Sequence, residues 1–390
     1  MPNSSTGHVG LDMSAGSAIA VTDVNLYGGA VGIKNNNQQV NIKGCNFKFC
    51  STGIRFSGGH TALIQGARFD TCGLGVDASV RGELGSVILL DSTSVHSGPL
   101  LKFYDSSKDN GNRNNQVVLE NISHAGSNPM VITSNGGTKI SGTSHVDTWI
   151  WGNVQPGGYQ SPKTLATGRS DKLQENGNFF TMKHPTLREY SSDQIVNVKA
   201  VDGHPVKGDG KTDDSASLNA IMAQNAANGK ITYFPYGVYT IKSTMYIPPG
   251  SRIVGEAWPV ISGAGPKFKD ASSPAPVVLV GKPGEVGVAQ IQDMRFTVGE
   301  VLPGAIILQI NMAGTGKGDV ALFNTLVTVG GTPDSSVNTA CDDPDTSNCK
   351  AAFAMAHLTS TSSAYIENMW GWTADHALDV GARQNIATGR

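Results

Sequence analysis

Three stretches near the N-terminus superimpose: "NLYGGAVGI" (25–33), "NFKFCSTGI" (46–54) and "RFDTCGLGV" (68–76), offset by 21 and 22 residues. Leu26, Phe47 and Phe69 fall in register, as do Gly32, Gly53 and Gly75, then Ile33, Ile54 and Val76. Upstream in each unit Val21, Ile42 and Ile64 also align. A period in the low twenties, with β-branched and aromatic residues at fixed stations, suits one coil of a parallel β-helix. Each coil would lay its apolar stations over those of its neighbour, with the glycines at the corners. Cys50 and Cys72 fall in one ladder and are expected as buried thiols, since free cysteine packs well in a core. The period continues less regularly through "SVILLDSTSVHSGPLLKF" and "NQVVLENISHAGSNPMVI".

Composition agrees with many short strands and tight turns. Gly is 48 of 390 and charged residues only 15%, against about 7% and about 25% in ordinary soluble domains. From 151 to 192 the period stops, and "NVQPGGYQSPKTLATGRSDKLQENGNFF" reads as a connecting segment laid over a surface. Beyond it "IVNVKAV" (195–201) alternates like a strand. "KGDGKTDDSASLNAI" (207–221) then predicts a Gly-rich turn, a cap at Asp213 or Asp214, and a helix over 215–227. Leu218, Ile221 and Met222 lie at helical spacing, with Gly229 just past the end. Such a helix covers the open end of a coil stack, where apolar stations and strand edges would otherwise face water. The turn lacks the closing Glu of a calcium loop and the Gly-Lys-Ser/Thr ending of a phosphate loop, so its role is read as structural. "KITYFPYGVYTI" and "TMYIPPGSRIVGE" follow as short strands broken by Pro/Gly turns.

Charge excludes some partners. The 29 basic and 31 acidic side chains give a net charge of −2, with no electrostatic attraction for nucleic acid or an anionic membrane. No apolar run approaches the ~18 residues of a membrane span. The opening "MPNSSTGHVG" lacks the basic and apolar regions of a signal peptide. Either export by that route is absent or the chain begins downstream of its true start. Cys341 and Cys349 bracket a polar loop containing Pro344 and are expected as a disulfide, worth about 2–3 kcal/mol in the chain-entropy estimate. The alternative is two free thiols; their spacing fits no zinc pattern. Sequons at Asn3 and Asn121 would carry glycans in a secreted protein.

"VKAVDGHPVKGDGKTDDSASLNAIM" with the strands after it is similar to the cap and first coils of pectate-lyase-superfamily β-helices. Taken with "GSVILLDSTSV", "GPKFKD", the Cys341–Cys349 loop and "ENMWGWTADHALD" (367–379), the chain resembles glycoside hydrolase family 55 over nearly all its length. Those are exo-β-1,3-glucanases. The resemblance implies an all-β fold of two tandem right-handed parallel β-helices, with a short capping helix opening the second. Residues 1–150 would be the C-terminal coils of the first β-helix, 151–192 a linker, and 193–390 the cap and first coils of the second. The implied activity is exo-acting hydrolysis of β-1,3-glucan by inversion, in an extracellular monomer using no metal or cofactor, with β-glucan as its partner. Family members are longer at both ends, and their general-acid Glu falls past the equivalent of Arg390. No residue here is therefore expected to be catalytic, and the chain alone is expected to be inactive.

The same resemblance points to substrate-binding residues. Trp370 and Trp372, two apart on a strand, share a face. Exposed, they would form a stacking platform for sugar rings; buried, they would be core. Asp375 and His376 would bond sugar hydroxyls or orient water, or else end a strand and bond backbone. Gln38 and Gln39 match a Gln pair in the family, where amides suit contacts that both donate and accept; the alternative is a ladder of stacked amides. Glu367 differs in parity from the two tryptophans and reads as a coil-surface carboxylate. Departures are visible: His60 where a Trp-rich coil is usual, "LFNTLVTVGG" (322–331) in place of a Trp-Asp-Val-His-like run, Gly371 between the tryptophans, and Ala377 for an acid. They keep a rival open, a non-catalytic carbohydrate-binding β-helix. A polysaccharide lyase ranks lower, because no Asp cluster with Lys or Arg recurs at coil spacing.

Overall fold

In the computed structural model the ladder of apolar stations closes into coils. The structure describes residues 7–14, 16–106, 115–142, 144–152, 160–164, 168–332, 335–341, 349–374 and 387–388. They fall into two compact units, Met1–Thr181 and Met182–Arg390.

In the first unit one sheet stacks Val9–Met13, Val31–Asn35, Thr52–Phe56, Leu74–Ala78, Leu101–Phe103 and Val131–Thr133 in parallel, each strand one coil from the next. A second runs Ala18–Thr22, Gln39–Lys43, Gly59–Gln65, Leu84–Leu90 and Gln116–Ala125, also parallel. The predicted registers are met residue for residue. Val21 pairs Ile42 and Ile42 pairs Ile64; Ile33 pairs Ile54 and Ile54 pairs Val76; Leu26 pairs Phe47 and Phe47 pairs Phe69. The Phe47 and Phe69 rings stack at 5.0 Å and 11°, both fully buried. Burial of each such side chain stabilises by roughly 1.5–3 kcal/mol.

The glycine column does something other than turn corners. Gly32, Gly53 and Gly75 lie within strands. A Cβ on Gly32 would sit 2.6 Å from the Gly53 carbonyl and 2.8 Å from the Phe47 ring; one on Gly53 would sit 2.6 Å from the Phe69 ring. The glycines are thus the floor on which the phenylalanine stack rests. Cys50 and Cys72 are buried in adjacent coils, as expected. Their mutual hydrogen bond pulls the Cys50 thiol down while it, with burial, pushes the Cys72 thiol up.

The last coil of this unit is sealed by a strand of opposite sense. His145–Gly152 pairs antiparallel with Gln116–Ala125, placing Trp151 opposite Val117 and Trp149 opposite Leu119. Both indoles are buried and pack edge-on to Phe103, at 5.0 and 6.1 Å. Within the segment read as a linker, Gln160–Thr164 adds a further antiparallel strand to this edge.

The second unit has three parallel faces. One stacks Ile195–Asn197, Ile231–Phe234, Ser251–Gly255, Ala289–Gln292, Val320–Phe323 and Tyr365–Glu367. The next stacks Asp209–Asp213, Val238–Ile241, Val260–Gly263, Arg295–Val298, Leu326–Val329 and Trp370–Thr373. The third stacks Met245–Ile247, Ala275–Val280, Ala305–Ile310 and Ala354–Leu358. The helix α1 (Ser215–Ala227) has the predicted bounds and buries Leu218, Ile221 and Met222 against the first coil.

Asp214 stands at the N-cap position but makes no side-chain bond to the helix. Asp213 Oδ1 accepts the Ser215 N–H (3.1 Å), whereas the fully buried Asp214 turns back to accept the N–H groups of Lys207 (2.8 Å) and Gly208 (2.9 Å). Asp209 holds the same turn, accepting the N–H groups of Thr212 (2.8 Å) and Lys211 (2.9 Å). These bonds favour its charged form and pull its pKa down to about 2. "GDGKTDD" is thus a self-bonded turn in front of a helix. Cys341 and Cys349 are joined by a disulfide, with Cα atoms 5.4 Å apart.

Candidate functional site

Gln39 opens the strand Gln39–Lys43, whose Val40 and Ile42 point into the core. Its neighbours in register are Ala18 and Thr61. Gln38 and Gln39 are both exposed, and the Gln38 carbonyl accepts the N–H groups of His60 (2.7 Å) and Thr61 (2.9 Å). That fixes the backbone beneath two solvent-facing amides. Amides do interact nearby, but in the interior: buried Asn37 donates to Asn35 Oδ1 (2.7 Å) and to the Met13 carbonyl (2.9 Å). The exposed His60 lies in the next coil beside Gln38.

In the second unit Trp370 and Trp372 sit on the strand Trp370–Thr373, opposite Leu326 and Thr328. The inward positions of the preceding strand are the buried Val327 and Val329, so Gly371 and Thr373 lie on the core side of the strand, Gly371 itself exposed, and the indoles lie on the opposite face. The rings are half-buried and stack on one another at 5.1 Å and 6°. They are neither core nor splayed into solvent. Arg295 runs over the same face and donates to Thr328 Oγ1 (3.1 Å) and the Gly331 carbonyl (2.9 Å). Flat aromatic faces beside fixed polar groups can stack sugar rings and bond their hydroxyls. Asp375, His376 and Ala377 lie outside the described residues.

Glu367 is not the coil-surface carboxylate its parity suggests. Only 6% exposed, it accepts a hydrogen bond from the Tyr365 hydroxyl and pairs in register with Phe323. The outer side of that sheet is covered: the His184 ring packs on Phe323 at 5.0 Å. The covering segment is distant in sequence and carries no period, so the burial had no local signal.

A polar recess of about 450 Å³ in the first unit has no counterpart among the sequence expectations. Glu120, Asn121, Asp147, Arg169 and Gln174 line it. Arg169 Nη1 meets Asp91 Oδ1 at 2.5 Å and its Nε meets Glu120 Oε1 at 2.6 Å, while the guanidinium lies over the Phe179 ring. Burial opposes the Arg169 charge, but the two carboxylates outweigh it and raise its pKa. This cluster fastens the segment around 169–179 to the last coil. Asn121 is bound within it, donating to Asp91 Oδ1 (2.6 Å) and Asn178 Oδ1 (2.9 Å). Among the described residues, no three or more His, Cys, Asp or Glu side chains converge as a metal ligand set, and no helix is long and apolar enough to cross a membrane.

Comparison with known proteins agrees with this architecture. A family model described as rhamnogalacturonase A/epimerase, pectate lyase-like, matches residues 1–77 and 195–292, a stretch in each unit. A glucan endo-1,3-β-glucosidase of Trichoderma harzianum is 37% identical over 94% of this chain and 46% of its own length. A glucan 1,3-β-glucosidase of Cochliobolus carbonum is 31% identical over 99% of this chain and 51% of its own. A non-secreted LysM effector of Penicillium expansum is 30% identical over 100% of this chain and 29% of its own. The chain spans about half the length of the two glucosidases it matches. Stacked parallel coils and these relatives together identify the chain as a glycoside hydrolase family 55-like protein of pectate-lyase-like fold.

Proposed function

We propose that this chain carries glucan-contacting surfaces of an extracellular β-1,3-glucan hydrolase that acts from the chain end by inversion. The observation that carries the reading is the stacked, outward-facing pair Trp370 and Trp372 beside Arg295 and Thr328. Gln38 and Gln39 supply solvent-facing amides in the first unit, and Asp375 and His376 are assigned hydroxyl contacts beyond the second tryptophan. The Cys341–Cys349 bond suits an oxidising compartment.

Inversion uses a general acid and a water-positioning group, with carboxyls about 6.5–9.5 Å apart when both are carboxylic. Glu367 is unsuited to the acid role, because its burial on the covered side of its own sheet keeps a glycosidic oxygen away. Binding is therefore the part of the activity we assign to the described residues. The same burial favours a second reading, a glucan-binding β-helix without hydrolysis.

Calorimetric titration with laminarin, polygalacturonate and pullulan tests the assignment. Heat of binding with laminarin alone supports it; equal binding of all three, or none, refutes it. Incubating laminarin with the protein extended to the length of its glucosidase relatives separates the two readings: glucose as the sole early product marks exo-hydrolysis, and binding without any product marks the second.

A further inference from the structure

Successive coils of the second unit turn the same corner between two sheets, and they turn it differently. Three coils use two residues there: Asp293–Met294, Asn324–Thr325 and Asn368–Met369. In each the first residue is left-handed, with φ of 58°, 49° and 55°, which Asp and Asn tolerate. The coil before them inserts Glu256, Ala257, Trp258 and Pro259 between Gly255 and Val260. Ala257 and Trp258 are both left-handed, at φ 55°. A bulky aromatic there is a costly outlier, and such outliers concentrate at functional positions.

The insertion throws Trp258 outward. Its side chain reaches past the Asp293 corner, and Nε1 donates to the Asn324 carbonyl at 2.8 Å. The residue stays 47% exposed. An indole whose N–H is satisfied and whose ring remains in water is fixed in orientation with an apolar face uncovered. The coil on the other side places Tyr236 at the same corner, 60% exposed. Beyond Asn324 the corner continues through Asn368, which donates to Asn324 Oδ1 at 3.2 Å, and then begins the strand bearing Trp370 and Trp372. Coils follow one another at about 4.8 Å, so aromatics carried on different coils of one corner can meet different sugars of a single chain. Acceptors flank the aromatics: Glu256, two residues before Trp258, is exposed and accepts from the Tyr233 hydroxyl at 2.7 Å.

We propose that Tyr236 and Trp258 extend the Trp370–Trp372 platform into a track along this corner, which binds the distal sugars of a β-1,3-glucan chain. The inference rests on the glucan-binding function proposed for the platform. It predicts that long oligosaccharides gain affinity from Trp258 and short ones do not.

Titration of laminarihexaose and laminaribiose into the wild-type chain and into Trp258→Gly, Trp258→Phe and Tyr236→Ala tests it. Gly suits the left-handed backbone, so Trp258→Gly removes the ring without disturbing the turn; an unchanged melting temperature checks this. The track predicts about a tenfold weaker laminarihexaose affinity for Trp258→Gly, the loss of one aromatic anchor. Laminaribiose affinity stays at the wild-type value, and Trp258→Phe keeps most of the laminarihexaose affinity. Unchanged laminarihexaose binding by Trp258→Gly, or equal weakening of both ligands, overturns the track and leaves the glucan reading standing. A wild-type chain that binds neither ligand refutes the glucan reading and the track together.

Discussion

Gly53 and Gly371 are both strand glycines, yet they answer to different neighbours. At Gly53 a methyl group would meet the Phe69 ring at 2.6 Å and the Gly75 carbonyl at 2.7 Å. At Gly371 it would meet Met355 Sδ at 3.8 Å, ordinary contact. Gly53→Ala therefore overpacks the aromatic stack and costs about 1–3 kcal/mol. Gly371→Ala gains about 0.5–1 kcal/mol, because alanine loses less backbone freedom on folding. Urea unfolding of the two variants should move the midpoint in opposite directions. Asp209 is a pH probe at the same scale. Its folded pKa of about 2 lies below the ordinary value of 3.8, so its stabilising contribution is full above the unfolded pKa. The contribution falls away as pH drops from about 3.8 through about 2. A carboxyl-carbon NMR titration should show Asp209 still charged at pH 3; a midpoint near 4 contradicts the self-bonded turn.

At the scale of elements, helix α1 (Ser215–Ala227) depends on Asp214, which closes the turn before it rather than bonding the helix end. Asp214→Ala leaves two backbone donors without their acceptor and should cost about 1–3 kcal/mol. Asp213→Ala removes the acceptor of the Ser215 N–H at the first helical residue and should cost less, about 0.5–1.5 kcal/mol. Thermal melts of both variants check the order. The helix was legible because its cap residues, apolar spacing and terminal Gly229 are all local signals. The first-unit coils were legible for a related reason: stacking forces like residues onto like stations, so register is written directly into spacing. Arg169 was not legible. It lies in a stretch with no period, and its partners Asp91 and Glu120 are 78 and 49 residues away in sequence. Asn121 makes the consequence testable. Its amide is held by Asp91 and Asn178, so a secreted form should carry no glycan at this sequon. Glycopeptide mass spectrometry showing Asn121 occupied would contradict the closed cluster.

At the scale of the molecule, the coil architecture followed from period and composition, whereas the candidate site was only partly readable. Trp370 and Trp372 stood out by spacing, but their outward face became definite only once Val327 and Val329 fixed the inward side of the preceding strand. Trp258 sits in no motif; its position depends on two extra residues at one corner, a difference visible only when the coils are stacked. Glu367 misled for the converse reason, since parity gives a sheet face and says nothing of what covers it. A crystal structure of the chain soaked with laminarihexaose puts the glucan platform to its sharpest trial. Pyranose rings should lie over Trp370 and Trp372, on parallel coils that keep Leu326 and Thr328 opposite the two indoles, with a hydroxyl within hydrogen-bond distance of Arg295. Oligosaccharide bound with those indoles bare, or tryptophans turned into a closed core, would rule the platform out.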